Sequence, residues 1–129
     1  MKLKRIDHVG IVVKDLDEAK QTFERQYGFT ADPSRGGEVA ALGIKNAFLP
    51  VGDAALELIQ PLASEGPVAK FANERGEGMF LLSVEVDDLH EVVTHLREAG
   101  VRVGDPANGV AFVSMRSTHG VNLQLIQRG

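Results

Sequence analysis

The chain has no cysteine and no tryptophan, and aromatic residues make up 5% of its 129 positions. Without cysteine there are no disulfides and no thiolate to act as nucleophile or metal ligand, so a reducing compartment, the cytoplasm, is the expected setting. Scarce aromatics argue against base stacking or an aromatic cage for a cationic ligand. An excess of basic charge is missing too. The formal net charge is −4, which argues against a nucleic-acid partner. No apolar run approaches the ~20 residues needed to span a bilayer, and the opening Met1-Lys2-Leu3-Lys4-Arg5 lacks the apolar stretch of a signal peptide. No membrane partner is expected. What remains is ordinary soluble composition, 43% hydrophobic and 25% charged, on a chain long enough for one domain with a real core.

The sequence repeats itself. Asp7-His8-Val9-Gly10-Ile11-Val12-Val13 followed by Lys14-Asp15-Leu16-Asp17-Glu18 is answered by Phe80-Leu81-Leu82-Ser83-Val84-Glu85-Val86 followed by Asp87-Asp88-Leu89-His90-Glu91. Leu56-Glu57-Leu58-Ile59-Gln60 is answered by Leu123-Gln124-Leu125-Ile126-Gln127. His8 therefore falls opposite Leu81, and Glu57 opposite Gln124. A duplicated fold with polar groups at repeat-equivalent strand positions can build one site from both copies.

Each copy follows the same local grammar. Val9, Ile11 and Val13 alternate with His8, Gly10 and Val12, the pattern of a strand with one apolar face against a helix. Asp15 and Glu18 form a capping-box pair. Leu16, Ala19, Phe23 and Tyr27 then recur at helical spacing, and Gly28 suits a left-handed helix end. In the second copy Leu82, Val84 and Val86 form the apolar strand face, Asp88 and Glu91 the capping box, Leu89, Val92, Val93 and Leu96 the helix face, and Gly100 the stop. Strand patterns follow around 38–44, 45–51 and 54–60, and again around 101–104, 109–114 and 120–127. Pro67 suits a first helical turn and Gly76-Glu77-Gly78 a break, which predicts a short helix at about 66–75. Each half thus reads β-α-β-β-β, giving an α+β fold of tandem modules.

These tandem modules resemble the vicinal oxygen chelate superfamily, which includes glyoxalase I, extradiol dioxygenases and bleomycin-resistance proteins. The epimerase branch, that of methylmalonyl-CoA epimerase, is matched over nearly the whole chain. The resemblance is carried by Asp7-His8-Val9-Gly10-Ile11, Ala47-Phe48-Leu49-Pro50-Val51-Gly52, Glu57-Leu58-Ile59-Gln60-Pro61-Leu62, Pro67-Val68-Ala69-Lys70-Phe71, Arg75-Gly76-Glu77-Gly78, Val84-Glu85-Val86-Asp87-Asp88, and Ser117-Thr118 before Gly120-Val121. It implies a curved sheet around a cavity. It also implies a single glyoxalase-like domain over 1–129, with module 1 at about 5–62, a bridge at 63–78 and module 2 at about 79–127. A homodimer, and a small-molecule ligand of the acyl-CoA kind, follow from the same resemblance.

The same resemblance implies a divalent metal (cobalt, zinc, manganese, nickel or iron) held by two histidines, a glutamine and a glutamate. Such an ion stabilises the enolate formed when the carbon beside a thioester carbonyl loses a proton. His8 takes the first histidine position, Glu57 the glutamine position and Gln124 the glutamate position, while Leu81 stands where the second histidine is expected. An alkyl group has no lone pair, so one ligand is lost, and the glutamate and glutamine have changed places. The opposing base of the family falls at Ala41, with Glu38 nearby but of the wrong strand parity. The expected site is therefore His8, Glu57 and Gln124 as metal ligands, Glu57 as ligand or base, and Gly10, Leu81 and Ser83 lining the cavity.

Plainer readings stand beside these. His8 can be a hydrogen-bonded core histidine, and Glu57 a solvent-face residue of an antiparallel sheet. Gln124 can be a surface strand residue. His90 and His95 read as helix surface, His119 as a solvated turn, and Lys70 and Arg75 as exposed helix charges that would suit phosphates. Gly36-Gly37 reads as a loop, since no strand–loop–helix frame surrounds it. For function there are two classes: an isomerase or lyase of epimerase type that abstracts a proton from a small acyl or carbonyl compound, and a metal-free small-molecule-binding protein of bleomycin-resistance type.

Overall fold

In the computed structural model, which describes residues 2–129 and so leaves Met1 outside, both long helices begin at an aspartate. Helix α1 (Leu16–Tyr27) starts after Asp15, whose carboxylate accepts the Glu18 N–H at 3.0 Å. Helix α3 (Leu89–Glu98) starts after Asp88, which accepts the Glu91 N–H at 3.1 Å. Each cap satisfies an amide the helix cannot, worth about 1 kcal/mol. A second repeat-equivalent contact accompanies them. Gln60 Oε1 accepts the Leu16 N–H at 2.8 Å, and Gln127 Oε1 accepts the Leu89 N–H at 2.8 Å. The glutamine that closes each repeated strand motif thus ties its own module's helix to its own module's sheet. Gly28 ends α1 at φ 79°, a left-handed conformation that favours glycine. Helix α2 (Pro67–Arg75) has Pro67 in its first turn, as the sequence predicts.

The strands are β1 (Leu3–Val12), β2 (Gly36–Val39), β3 (Ile44–Val51), β4 (Ala54–Pro61), β5 (Gly78–Val86), β6 (Val110–Val113) and β7 (Leu123–Ile126). Two compact units emerge from the packing, one comprising the residues up to His8 with Leu81–Gly129, the other Val9–Phe80. In the Val9–Phe80 unit the hydrogen-bonded order is β2-β3-β4-β1. Val13, Leu16, Ala47, Leu49 and Leu58 form its buried core, with Ile11, Leu56, Ala19 and Phe23 against them. Full burial of a leucine such as Leu49 or Leu58 contributes roughly 1.5–3 kcal/mol. In the other unit the order is β1-β5-β7-β6, with β5 and β7 parallel. Its core is Val86, Leu89, Val92, Val93, Ala111, Val113 and Leu125.

The α+β, glyoxalase-like class expected from the sequence is the one found, with three corrections. The strand expected at 101–104 is reduced to a single bridge, Val103 to Val113. Pro106 soon after lacks an amide hydrogen for a ladder, and the Val103 carbonyl also accepts from the Arg97 guanidinium at 2.9 Å. The strand expected at 38–44 instead runs from Gly36, read as a loop, to Val39, because Gly36 and Gly37 pair with Ala47 and Asn46 and Ala40–Leu42 make a 3-10 turn closed by Gly43 at φ 62°. Tyr27, placed by periodicity on the buried face of α1, is 66% exposed and only leans on Phe23, 5.9 Å between ring centres.

Candidate active site

In the Val9–Phe80 unit, β4 turns Leu56 and Leu58 toward α1 and so turns Glu57 to the opposite face of the sheet. Glu57 is nevertheless only 8% exposed, so the solvent-face reading fails. Its partner is Asn46 of β3. Phe48 lies directly across from Glu57 in the antiparallel register, and Asn46, two residues along on the same face, reaches diagonally. The Asn46 Nδ2 donates to Glu57 Oε2 at 2.8 Å. That bond fixes the amide's orientation and leaves Asn46 Oδ1 buried with no hydrogen-bond partner. Asn46 was missed in the sequence; the signal was an amide inside an otherwise apolar strand segment, Asn46-Ala47-Phe48-Leu49.

In the other unit, His8 is 6% exposed and its Nδ1 lies 2.7 Å from Asp7 Oδ2. Asp7 is equally buried and gathers Arg128, which donates from Nε to Oδ1 at 2.6 Å and from Nη2 to Oδ2 at 2.8 Å. Arg5 donates to Oδ1 at 3.0 Å. The Arg128 hydrogen bonds, opposed by burial and joined by His8, hold the Asp7 carboxyl far below the usual carboxylate range, and Asp7 in turn raises the Arg128 guanidinium. Asp7 is therefore an acceptor at neutral pH and His8 Nδ1 the donor, which in a neutral ring leaves the lone pair on Nε2. A hydrogen-bonded core histidine was the plainer expectation, and the Asp7 contact is of that kind.

The same unit holds Leu81, Ser83 and Gln124. Val86 and Leu125 face α3, so by strand alternation Leu81, Ser83 and Gln124 occupy the opposite face. Ser83 and Gln124 are direct register partners on the parallel pair β5 and β7. Ser83 is 0% exposed, and both Ser83 Oγ and Gln124 Oε1 are buried without a hydrogen-bond partner. Leu81 is 8% exposed. Gly10, on β1 in the Val9–Phe80 unit, is buried as well. His90, His95, His119, Lys70, Arg75 and Glu38 are all exposed, and Ala41 lies in the 3-10 turn. The structure thus pairs Glu57 with Asn46, His8 with Asp7, and Gln124 with Ser83.

Residues 6–125 match the glyoxalase-like domain family. This chain belongs to that family. The glyoxalase-like chain is 28% identical to mitochondrial methylmalonyl-CoA epimerase of Bos taurus, over 97% of its own length and 75% of that protein's. The crystal structure of methylmalonyl-CoA epimerase from Mycobacterium tuberculosis superposes with a TM-score of 0.88 at 29% identity, covering 98% of this chain and 89% of that one. A variant of Streptomyces coelicolor methylmalonyl-CoA epimerase in complex with 2-nitronate-propionyl-CoA superposes with a TM-score of 0.87 at 26% identity, covering 99% of each. The chain is accordingly a vicinal oxygen chelate superfamily member that resembles the methylmalonyl-CoA epimerases. Among the described residues no helix is long and apolar enough to cross a membrane.

The donors of this glyoxalase-like chain are one histidine short of the set that the resemblance implies. Among the described residues no group of three or more His, Asp or Glu side chains is gathered to hold an ion. Leu81 brings no lone pair, the Glu57 carboxylate accepts from Asn46, and Gln124 offers a neutral amide. A catalytic ion needs at least three protein ligands with an open position; of the two imidazoles, carboxylate and amide that the resemblance implies, this chain keeps one imidazole, one carboxylate and one amide.

Proposed function

We propose that this protein is an acyl-CoA isomerase of epimerase type that removes a proton from the carbon beside a thioester carbonyl, with Glu57 as base. The observation that carries this reading is the Glu57 carboxylate, buried in mid-strand and oriented by Asn46 Nδ2 at 2.8 Å. Desolvating a carboxylate costs several kcal/mol, and a role as base toward a bound substrate accounts for that cost at Glu57. In the step proposed, the Glu57 carboxylate takes the proton, and the C–H electron pair becomes the carbon–carbon π bond of an enolate whose charge rests on the thioester oxygen. With Ala41 where the resemblance puts the opposing base, return of a proton on the other face falls to water. Acyl-CoA is supported as the substrate class by the Streptomyces coelicolor neighbour in complex with 2-nitronate-propionyl-CoA.

The test is hydrogen–deuterium exchange at the α-carbon of methylmalonyl-CoA, followed by mass spectrometry in buffered deuterium oxide. The wild type is expected to accelerate exchange and Glu57→Gln to slow it by about 10²-fold or more. Equal rates in the two proteins would remove Glu57 from the chemistry. Binding of acyl-CoA with no acceleration by the wild type would move the protein to the binding-protein class.

A further inference from the structure

Among the described residues, three buried side-chain oxygens lack a hydrogen-bond partner: Asn46 Oδ1, Ser83 Oγ and Gln124 Oε1. Asn46 is accounted for by its work on Glu57. Ser83 and Gln124 are not. Leaving a buried oxygen unsatisfied is costly, and native folds rarely do it without a reason. Here the two lie side by side, as register partners on β5 and β7, on the face turned away from the α3 core. Ser83 is completely buried, and an alanine would fill its place without the cost. No carboxylate or guanidinium bonds to either side chain among the described residues. The pair is therefore a neutral hydrogen-bonding feature.

We infer that Ser83 and Gln124 form a subsite for a ligand's carbonyl oxygen, which on the acyl-CoA reading above is a thioester oxygen. The Ser83 hydroxyl rotates to donate. Gln124 Oε1 has no partner, so turning the amide over forfeits no bond at that atom and brings its N–H2 to the same place. Donors held in a buried site and aimed at a developing oxyanion stabilise it without reorganisation. This answers the mismatch between the implied metal and the residues present. Where the resemblance implies an ion on the oxygen, this chain, with Leu81 in place of a histidine, presents an alcohol and an amide.

The inference rests on the acyl-CoA reading for its ligand but not for its first test. Thermal unfolding of the unliganded protein compares the wild type with Ser83→Ala. If the hydroxyl waits for a ligand, removing it raises Tm, by about 3 °C. If the hydroxyl serves the fold, Tm falls, and the inference is overturned. Calorimetric titration in chelator then uses propionyl-CoA, S-propyl-CoA (a thioether without the carbonyl oxygen) and CoA. The wild type is expected to prefer propionyl-CoA over S-propyl-CoA by about tenfold. Ser83→Ala and Gln124→Leu should abolish that preference while leaving S-propyl-CoA affinity unchanged. Equal wild-type affinities, or a preference that survives in both variants, overturn the subsite while the acyl-CoA reading stands. Failure of the wild type to bind all three overturns the acyl-CoA reading, and the Tm comparison then decides the pair by itself.

Discussion

Replacing Asp7 by asparagine tests the electrostatic heart of one unit. The carboxylate accepts from Arg128 at 2.6 and 2.8 Å, from Arg5 at 3.0 Å and from His8 at 2.7 Å. Hydrogen bonds to charged groups contribute roughly 1.5–3 kcal/mol each, and breaking a buried ion pair from one side costs about 3–5 kcal/mol. Those figures need discounting, because the side chains of Arg128 and Arg5 are 43% and 34% exposed and water screens them. Asparagine also keeps one acceptor oxygen. Asp7→Asn should therefore destabilise the protein by about 2–3 kcal/mol near neutral pH, read from urea unfolding with an unchanged m-value. The sign of the pH dependence follows from the lowered folded-state value of Asp7. A carboxylate stabilised in the folded state contributes fully above its unfolded value, about pH 4, and loses that contribution as the pH falls further. The wild type and Asp7→Asn should thus be furthest apart above about pH 5 and converge toward about pH 2. Arg128→Ala should cost less in the Asp7→Asn background than in the wild type, since the partner is already gone. A gap under about 0.5 kcal/mol at neutral pH, within the range of ordinary surface substitutions, or one that stays constant through the acid range, would refute the account.

Three further outcomes are expected. Gln60→Ala and Gln127→Ala should each cost about 1 kcal/mol and speed amide exchange at Leu16 and Leu89 respectively; slow exchange retained at those amides would show that the glutamines are not caps. Gly43→Ala should lose more stability than Gly28→Ala, because both glycines have positive φ but a Cβ at Gly43 would sit 2.6 Å from the Ala63 Cβ whereas one at Gly28 meets nothing within 4 Å; strain alone costs about 1 kcal/mol, and equal losses in chemical denaturation would contradict the close approach. Leu81→His should raise cobalt affinity at least about tenfold by adding a lone pair, measured by metal content after dialysis, while chelator leaves wild-type α-proton exchange unchanged; loss of exchange in chelator would restore the metal to the wild-type reaction.

Helix starts and stops were legible because their chemistry is local. Asp15 with Glu18 and Asp88 with Glu91 announce caps within one turn, and Pro67 and Gly28 mark a beginning and an end. The family was legible in local stretches such as Asp7-His8-Val9-Gly10-Ile11 and Arg75-Gly76-Glu77-Gly78, and the candidate site in the repeat that places Glu57 and Gln124 in equivalent phrases. The hydrogen-bond partners were not, since they are made across strands and between distant segments. Nothing near Glu57 in sequence names Asn46, and nothing near Asp7 names Arg128, which lies beyond the last strand. The orphaned oxygen of Ser83 depends on which residue stands across from it, a matter of register. The strand expected at 101–104 is not formed although Val101 and Val103 alternate correctly, because the nearby Pro106 has no amide to donate and the Arg97 side chain takes the Val103 carbonyl.

The paired glutamines at the strand ends also bear on how the chain is made. Leu16 obtains its amide partner from Gln60, and Leu89 from Gln127, in each case a residue synthesised well after the helix it completes. A ribosome delivering this chain would release α1 with its Asp15 cap in place but the Leu16 amide left to water until the strand that carries Gln60 has emerged. The helix that arrives early is finished late, and each module closes only when its own final strand is in place.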